Sequence, residues 1–386
     1  MLILSYFLLV KRVFMVIYIF FSCCSSIYAV TVCGNIDKKI SRRVFWLSGS
    51  WGIRLVLPGG NTPSVQDFSV ESIINQIDHL KTIKYVMINI NAGSIGGRFT
   101  FPIPKPGIYL VDKRMAPSRD LFLEMARALK AKGLRVIAYV AAQGPYAENI
   151  RHWPDPTNEK EIKWRLLLYE ISFKWHVRAN SLGVTPKDLW ANLLKDISLK
   201  YGSLIDAWWF DYGNWGDIKQ LTNAVRSGNK NAAVAWNYNH GNSDEKVHKK
   251  IRKKKMSKWI LARSSNMEDF TGGHPTPPEI HKPWWDDNYE LIEQVIHNCS
   301  VDGALAHVFL PLQDNWRAGE SIFPIKKAIS WTIDIISHNG AITWAAALKN
   351  PEFKYSVLGE KQFHHLLTID NAVFMYQKNV TNTPNQ

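Results

Sequence analysis

The sequence predicts an α/β protein, a (β/α)8 TIM-like barrel followed by a short C-terminal antiparallel β addition. Nearly continuous apolar segments alternate with segments whose apolar residues recur every three or four positions. This is the pattern of buried parallel strands joined by helices. The length of 386 residues suits one barrel with insertions, since such barrels take about 250 residues or more. No glycine-rich dinucleotide fingerprint follows the first strand, which argues against an open doubly wound sheet.

Turn residues bound the elements in the first half of the chain. A Pro-Gly-Gly turn at 58–60 ends the first strand, Ser118 can cap the helix that follows the second strand, and Gly133 stops that helix. A break near Gly183 and Pro186 divides the long helical region before the fourth strand. The predicted strands are 51–57, 85–90, 135–141 and 205–211, and the predicted helices are 70–80, 118–133 and 159–201.

The same alternation continues in the second half and changes after Leu348. There, 362–369 and 372–377 resemble two antiparallel strands, which are the predicted β addition. We therefore expect a barrel over 30–348 and a small β addition and tail over 349–386. The further predicted strands are 232–237, 259–262, 303–312 and 341–346, and the helices are 217–226, 288–297 and 325–336.

The N-terminus predicts an export signal. A continuous apolar stretch at 13–21 follows two basic residues, and Ala29 offers a small residue for cleavage. We expect residues 1–29 to be a signal peptide and the mature protein to be secreted or periplasmic, without a stable membrane span. The alternatives are a retained anchor or lipidation at Cys23 or Cys24.

Two cysteines, Cys33 and Cys299, remain after removal of that segment. They could form one disulfide in an exported protein, but sequence spacing does not show whether they are close in space. No Cys-x-x-Cys or paired Cys/His spacing is present outside the signal, so we predict no metal site and no cofactor.

The chain is strongly basic, with a formal net charge of +14. The segment 248–255 concentrates this charge. Such a run is either a solvated surface or a contact for an anionic glycan. Because the chain is rich in Trp and carries no recognisable nucleic-acid-binding module, we predict an oligosaccharide or polysaccharide partner, anionic in one interpretation, and no nucleic acid.

The segment 205–215 is the most informative for function. An apolar run ends at Asp211, and Trp209, Tyr212 and Trp215 surround this acid in the sequence. In a barrel the carboxyl end of a strand faces the active site, where aromatic rings can cover a sugar and a carboxylate can attack its anomeric carbon. We predict that Asp211 is catalytic and that Asp206, at the start of the same strand, is structural.

These residues resemble those of the α-L-fucosidase-type retaining glycoside hydrolases. Trp209-Phe210-Asp211 is similar to the family's strand-four motif, and 268–279 is similar to its strand-six stretch. The resemblance extends over about 45–348 and implies Asp211 as the nucleophile of a double displacement. Leu57-Pro58-Gly59-Gly60 replaces the family's His-Trp-Gly, and its C-terminal β-sandwich is absent, so the resemblance does not fix the sugar.

A retaining enzyme also needs an acid/base. Glu268 is the leading candidate because it follows the predicted sixth strand, and the alternatives are Asp269, Glu279 and Glu320. Each of these acids could instead pair with one of the many basic side chains.

Several polar and aromatic residues follow predicted strands and could bind sugar hydroxyls or hold loops. Trp316 beside Arg317 suggests a stacking platform with a cation suited to an acidic or sulfated sugar. The other candidates for substrate binding are Asn89, Tyr139, Asn237 and His274.

The alternative function is a catalytically inactive barrel that binds anionic polysaccharide through these aromatic residues and its basic surface.

Overall fold

The computed structural model describes residues 40–91, 101–104, 107–146, 159–213, 216–237, 261, 263, 265–273, 292–293, 295–296, 300–313, 316–349 and 356–382. It contains a parallel seven-stranded sheet with the order β5-β4-β3-β2-β1-β9-β8. A short antiparallel hairpin, β6 and β7, lies before β8. The strands are β1 Ser50–Leu55, β2 Tyr85–Asn89, β3 Arg135–Ala141, β4 Ala207–Asp211, β5 Ala233–Trp236, β6 Ser300–Val301, β7 Ala304–Leu305, β8 His307–Pro311 and β9 Ala341–Ala345.

Alternate residues of each strand enter two separate cores. On β4, Trp208 and Phe210 pack between the sheet and the helices, whereas Ala207 and Trp209 pack inside the curled sheet. Because successive strand residues point to opposite faces, Asp211 belongs to the inner set. The curled parallel sheet confirms the predicted α/β class and is consistent with a TIM-like barrel.

The segment 268–273 lies between the two edges of the sheet. The backbone N–H of Asp269 donates to the Val234 carbonyl of β5 at 2.8 Å, and the N–H of Phe309 on β8 donates to the Gly273 carbonyl at 2.8 Å. The segment thus takes the position that the sequence assigned to 259–262, of which 259, 260 and 262 lie outside the described residues. The predicted strand 303–312 is divided into β7 and β8.

The helices cover the outer face of the sheet. A Thr185–Asp188 capping box begins α5, and this confirms the predicted break between α4 and α5. The helices are α1 Pro63–Gln66, α2 Val70–Ile77, α3 Leu121–Ala131, α4 Glu159–Ser181, α5 Pro186–Tyr201, α6 Ile218–Val225, α7 Ile325–Ser337 and α8 Glu360–Asn382.

The predicted C-terminal β addition is wrong, because α8 occupies this region. Leu366, Ile369 and Val373 are buried at spacings of three and four residues, which is the period of a helix rather than of a strand. The buried carboxylate of Asp370 accepts hydrogen bonds from the backbone N–H groups of Lys81 and Thr82 at 2.8 and 2.7 Å. This helix is therefore joined to the loop before β2.

The amino-terminal end of the inner core is closed by the segment that precedes β1. Val44 and Leu47 pack there beside the Tyr85 ring. A Cβ on Gly52 would lie 2.5 Å from that ring, so glycine leaves room for Tyr85 to cross the interior. In the described part of the chain, no helix is long and apolar enough to cross a membrane. The predicted signal at 1–29, Cys33, Cys299 and the basic run 248–255 lie outside the described residues.

Candidate active site

Asp211 ends β4 and lies at the carboxyl ends of the strands. Its side chain is buried. One carboxylate oxygen accepts a hydrogen bond from Asn237 Nδ2 at 2.7 Å and another from the Tyr212 backbone N–H at 3.0 Å. The other oxygen accepts from the Tyr139 hydroxyl. Three donors from three positions thus orient one carboxylate.

Tyr139 is brought to Asp211 by the pairing of β3 with β4. The Tyr139 ring stacks on Trp209, with 5.1 Å between the ring centroids. Burial, followed by the nearby charge of Asp211, raises the pKa of the Tyr139 hydroxyl well above its usual value. The hydroxyl therefore stays protonated at neutral pH and remains a hydrogen-bond donor to the carboxylate.

Trp209, which the sequence analysis predicts to bind substrate, packs beneath the site. Its side chain is fully buried. Its indole N–H donates to the Gly272 carbonyl at 2.9 Å, and its ring packs edge-on against Phe309 at 5.0 Å. Its stacking on Tyr139 helps to position that ring.

Arg54 belongs to the site and was missed by the sequence analysis. It is 2% exposed on the inner face of β1, and its guanidinium carbon lies 4.8 Å from the centroid of the Tyr139 ring. Burial lowers the pKa of Arg54 to about 10, with Arg317 lowering and Asp211 raising it. A lone arginine within the apolar run 51–57 was the signal that could have revealed it.

Trp316 and Arg317 lie near Arg54. The Trp316 carbonyl accepts a hydrogen bond from Arg54 Nη1 at 2.8 Å, and the Trp316 ring packs on Phe309 at 5.1 Å. Tyr212 directly follows Asp211 with a left-handed φ of 56°. Trp215 lies outside the described residues.

The side chains of Glu268 and Asp269 bind backbone N–H groups of β5. One oxygen of the buried Glu268 carboxylate accepts from the Trp236 backbone N–H at 3.0 Å, and the other accepts from the Ser265 N–H at 2.9 Å. Asp269 accepts from the Val234 N–H at 3.0 Å and pairs with Arg226. Both carboxylates thus bind backbone N–H groups of β5.

The other predicted site residues lie at the surface, in a buried turn or outside the described residues. Glu320 is exposed and pairs with Lys361 of α8. The amide of Asn89 both accepts from and donates to the backbone of Leu57, at 2.7 and 3.2 Å, so it holds the turn after β1. His274 and Glu279 lie outside the described residues.

Asp206 is structural, as predicted. It is buried and pairs with Lys130 at 2.5 Å and Arg135 at 2.7 Å at the start of β4. Among the described residues, no group of three His, Cys, Asp or Glu side chains could hold a metal ion.

Comparison with known protein families gives the affiliation. The model of the Mef1 family, described as endo-alpha(1,4)-fucoidanase, matches residues 41–371, which include β1 to β9 and Asp211. The chain belongs to this fucoidanase family. The predicted glycoside hydrolase related to fucose-processing enzymes is thereby confirmed, whereas the narrower assignment to the α-L-fucosidase type is replaced.

Solved structures of fucoidan hydrolases share the fold. P5AFcnA, an endo-fucoidan hydrolase of glycoside hydrolase family 107, is 18% identical with a TM-score of 0.67, over 86% of this chain and 93% of that chain. MfFcnA4, of the same family, is 21% identical with a TM-score of 0.68, over 87% of this chain and 54% of that chain. This chain therefore spans about half the length of MfFcnA4.

The α-L-fucosidase AlfC from Lactobacillus casei is a weaker structural match, at 12% identity and a TM-score of 0.53, over 88% of this chain and 100% of that chain. The search of curated proteins found no match.

Proposed function

We propose that this protein is an endo-acting hydrolase that cleaves α-1,4 linkages within a fucose polysaccharide, with Asp211 as the nucleophile. The observation that carries the proposal is the position of Asp211, which Tyr139 and Asn237 hold at the carboxyl ends of the strands. Support comes from the fucoidanase family model, which matches the whole region that builds this site.

In the proposed reaction, the Asp211 carboxylate attacks the anomeric carbon while an acid protonates the departing oxygen. The covalent glycosyl ester formed on Asp211 is then hydrolysed by water, which the same acid/base group deprotonates. Asn237 and the Tyr212 N–H hold one oxygen of Asp211. The hydrogen bonds orient the carboxylate before the substrate binds, which lowers the cost of reaching the transition state.

The acid that protonates the departing oxygen is the second group that the proposed reaction needs. Glu268, Asp269 and Glu320 each accept hydrogen bonds or pair with cations away from Asp211. Of the four predicted acids this leaves Glu279, which follows Gly273 in sequence, and His274 is the first titratable residue after that glycine. We therefore place the proton donor within 274–279.

The test is hydrolysis of a defined α-1,4-linked fucose oligosaccharide carrying a fluorescent label. Asp211→Asn should lower turnover by about 10⁴-fold or more, as loss of a catalytic nucleophile does, while the melting temperature stays near that of the wild type. With azide, Asp211→Gly should release a fucosyl azide of inverted anomeric configuration. Undiminished turnover by Asp211→Asn would refute the nucleophile assignment.

The matched acid/base series is Glu268→Gln, Glu279→Gln and His274→Gln. Removal of the proton donor should lower turnover of the oligosaccharide about 10²- to 10⁴-fold. With an aryl fucoside, whose leaving group departs without protonation, azide should restore turnover of that variant and give a fucosyl azide of retained configuration. We expect this signature from position 274 or 279. Glu268→Gln should mainly lower the melting temperature, because its two backbone hydrogen bonds depend on the carboxylate.

A second candidate function is glycan binding without hydrolysis. The observation in its favour is that the described rival acids all have structural or surface partners. Binding of the labelled oligosaccharide without release of new reducing ends would support this candidate. We also propose export through residues 1–29, for which N-terminal sequencing of the mature protein is the direct test.

A further inference from the structure

Arg54 is a charged side chain inside the curled sheet, next to the nucleophile. It lies on β1, where it is paired with Met87 of β2 and Ala345 of β9. Its guanidinium carbon is 4.8 Å from the ring centroid of Tyr139, whose hydroxyl donates to Asp211. One tyrosine ring therefore lies next to both the buried cation and the reacting carboxylate.

The hydrogen-bonding groups of Arg54 are only partly used. Nη1 donates to the Trp316 carbonyl at 2.8 Å. The buried Nε has no hydrogen-bond partner in the described part of the chain, and no ion pair joins Arg54 to a carboxylate there. Since a buried charge is costly unless it is paired and hydrogen-bonded, this position is suited to an anion that arrives with a ligand.

The ligand chemistry follows from the guanidinium group. Its planar N–H groups bind oxyanions through two parallel hydrogen bonds and discriminate them from neutral groups. Arg317 follows Trp316, whose carbonyl Arg54 binds, and its positive charge lowers the pKa of Arg54. Two neighbouring guanidinium groups favour a compact, permanently charged oxyanion such as a sulfate ester.

We propose that Arg54 binds a sulfate ester on the sugar ring whose anomeric carbon Asp211 attacks, and that it thereby determines the specificity of the enzyme. This inference rests on the proposed function. In a 6-deoxyhexose linked through positions 1 and 4, the ring closes through O5 and carbon 6 is a methyl group. Only O2 and O3 can then carry the ester.

A role limited to holding Asp211 fits the contacts less well. Tyr139 already donates to the carboxylate oxygen on that side, and no ion pair joins Arg54 to Asp211. The two roles make different predictions. A residue that serves only Asp211 would affect all substrates equally, whereas an anion-binding residue affects sulfated sugars more than unsulfated ones.

The experiment measures binding of L-fucose, L-fucose 2-sulfate and L-fucose 3-sulfate by calorimetry, since none of these monosaccharides is hydrolysed. The wild type should bind one of the sulfated sugars at least about tenfold more tightly than L-fucose, as expected for hydrogen bonds to a charged group. Arg54→Gln should lose this preference, so that the ratio of the affinities for sulfated and unsulfated fucose falls to about one. Arg127→Gln is the control, because it removes one exposed positive charge from α3.

Arg54→Lys is a second test in case Arg54→Gln does not fold. It keeps the positive charge but removes the planar guanidinium group. It should lower the preference for the sulfated sugar over L-fucose severalfold. Equal loss of affinity for all three sugars, or an unchanged sulfate preference in both variants, would overturn the proposal.

Hydrolysis assays separate this inference from the proposed function. If the wild type cleaves the α-1,4-linked oligosaccharide but Arg54→Gln keeps the full preference for sulfated substrate, only the role of Arg54 fails. If no fucose polymer is cleaved yet sulfated fucose binds in a manner that depends on Arg54, the proposed function fails and the anion site stands.

Discussion

Three inner side chains, Arg54, Tyr139 and Asp211, form the centre of the site although each comes from a different strand. Tyr139 lies between the other two, since its ring contacts Arg54 and its hydroxyl donates to Asp211. Trp209 stacks beneath the Tyr139 ring. One oxygen of the Asp211 carboxylate is therefore held by a phenol that is itself supported from two sides.

Tyr139→Phe tests this dependence at the residue scale. The variant keeps the ring that stacks on Trp209 and removes the hydroxyl, so we expect a folded protein with kcat/KM lowered about 10- to 100-fold, the value of one hydrogen bond to a charged group. The acid limb of the pH–rate profile should move to higher pH, because the ionised carboxylate loses a donor. Steady-state kinetics between pH 4 and 8 give both quantities.

Tyr85→Phe is the matched control, because its hydroxyl bonds to Ile342 and Thr343 deeper in the sheet interior. It should lower the melting temperature without moving the pH–rate profile. A Tyr139→Phe enzyme with the wild-type profile would show that the hydroxyl does not act on Asp211.

At the scale of elements, the segment 268–273 connects the sheet edges although it is not a regular strand. Glu268 and Asp269 accept the β5 N–H groups that a neighbouring strand would bind. Two glycines then pass between β5 and β8. A Cβ on Gly272 would lie 2.4 Å from the Trp236 carbonyl oxygen, and one on Gly273 would lie 2.0 Å from that of His307.

Gly273→Ala should therefore destabilise the protein strongly. The added methyl group clashes with backbone rather than with a movable side chain, and the residue has a left-handed φ of +63°. We expect a loss of roughly 3 kcal/mol or more in the free energy of unfolding. Chemical denaturation measures the change.

Gly133→Ala separates the cost of the clash from the cost of the left-handed backbone conformation. Gly133 also has a left-handed φ, +76°, but a Cβ added there would meet no atom within 4 Å. It should lose only about 1–2 kcal/mol, the cost of the backbone conformation. Equal losses in the two variants would contradict the close approach at Gly273.

On the scale of the whole molecule, a buried polar network crosses the sheet interior beneath the site. His307 Nδ1 lies 3.0 Å from the Thr271 carbonyl oxygen, and Nε2 lies 2.8 Å from Thr343 Oγ1. Because a carbonyl only accepts, Nδ1 carries the proton and Nε2 accepts from the threonine. Burial lowers the pKa of His307 to about 4, so the network requires a neutral imidazole.

This network predicts acid sensitivity of the entire fold. The pKa of His307 is about 6.5 when unfolded and about 4 when folded. Between these pH values the unfolded chain binds a proton that the folded protein does not. The contribution of neutral His307 to the stability of the folded protein is therefore complete above pH 6.5 and is lost as the pH falls towards 4. The loss is about 1.4 kcal/mol per pH unit and about 3 kcal/mol in total.

Unfolding free energies measured from pH 7 to pH 4 provide the test. His307→Gln should be less stable than the wild type at pH 7 but should show a flatter pH dependence across this window. Parallel pH curves for the two proteins would exclude His307 as the source of the acid sensitivity.

Local patterns of sequence were sufficient for much of the fold. Apolar runs predicted the strands of the parallel sheet, and the run before Asp211 predicted an acid at a strand end. These features depend on neighbouring residues, because strand and helix periods repeat within a few positions. The same local reasoning was wrong for α8, where adjacent apolar residues such as Leu366 and Leu367 resembled strands until burial against the rest of the protein selected one helical face.

The contacts of the site residues involve residues far apart in sequence, which local patterns cannot predict. Asp211 depends on Tyr139, Arg54 on the Trp316 carbonyl, and Glu268 on the Trp236 backbone N–H. An acid beside a predicted strand has the same sequence appearance whether it transfers a proton or accepts backbone hydrogen bonds. Only the tertiary structure shows which partners these acids have, because the partner of a buried charge is decided by which distant strands the sheet brings together.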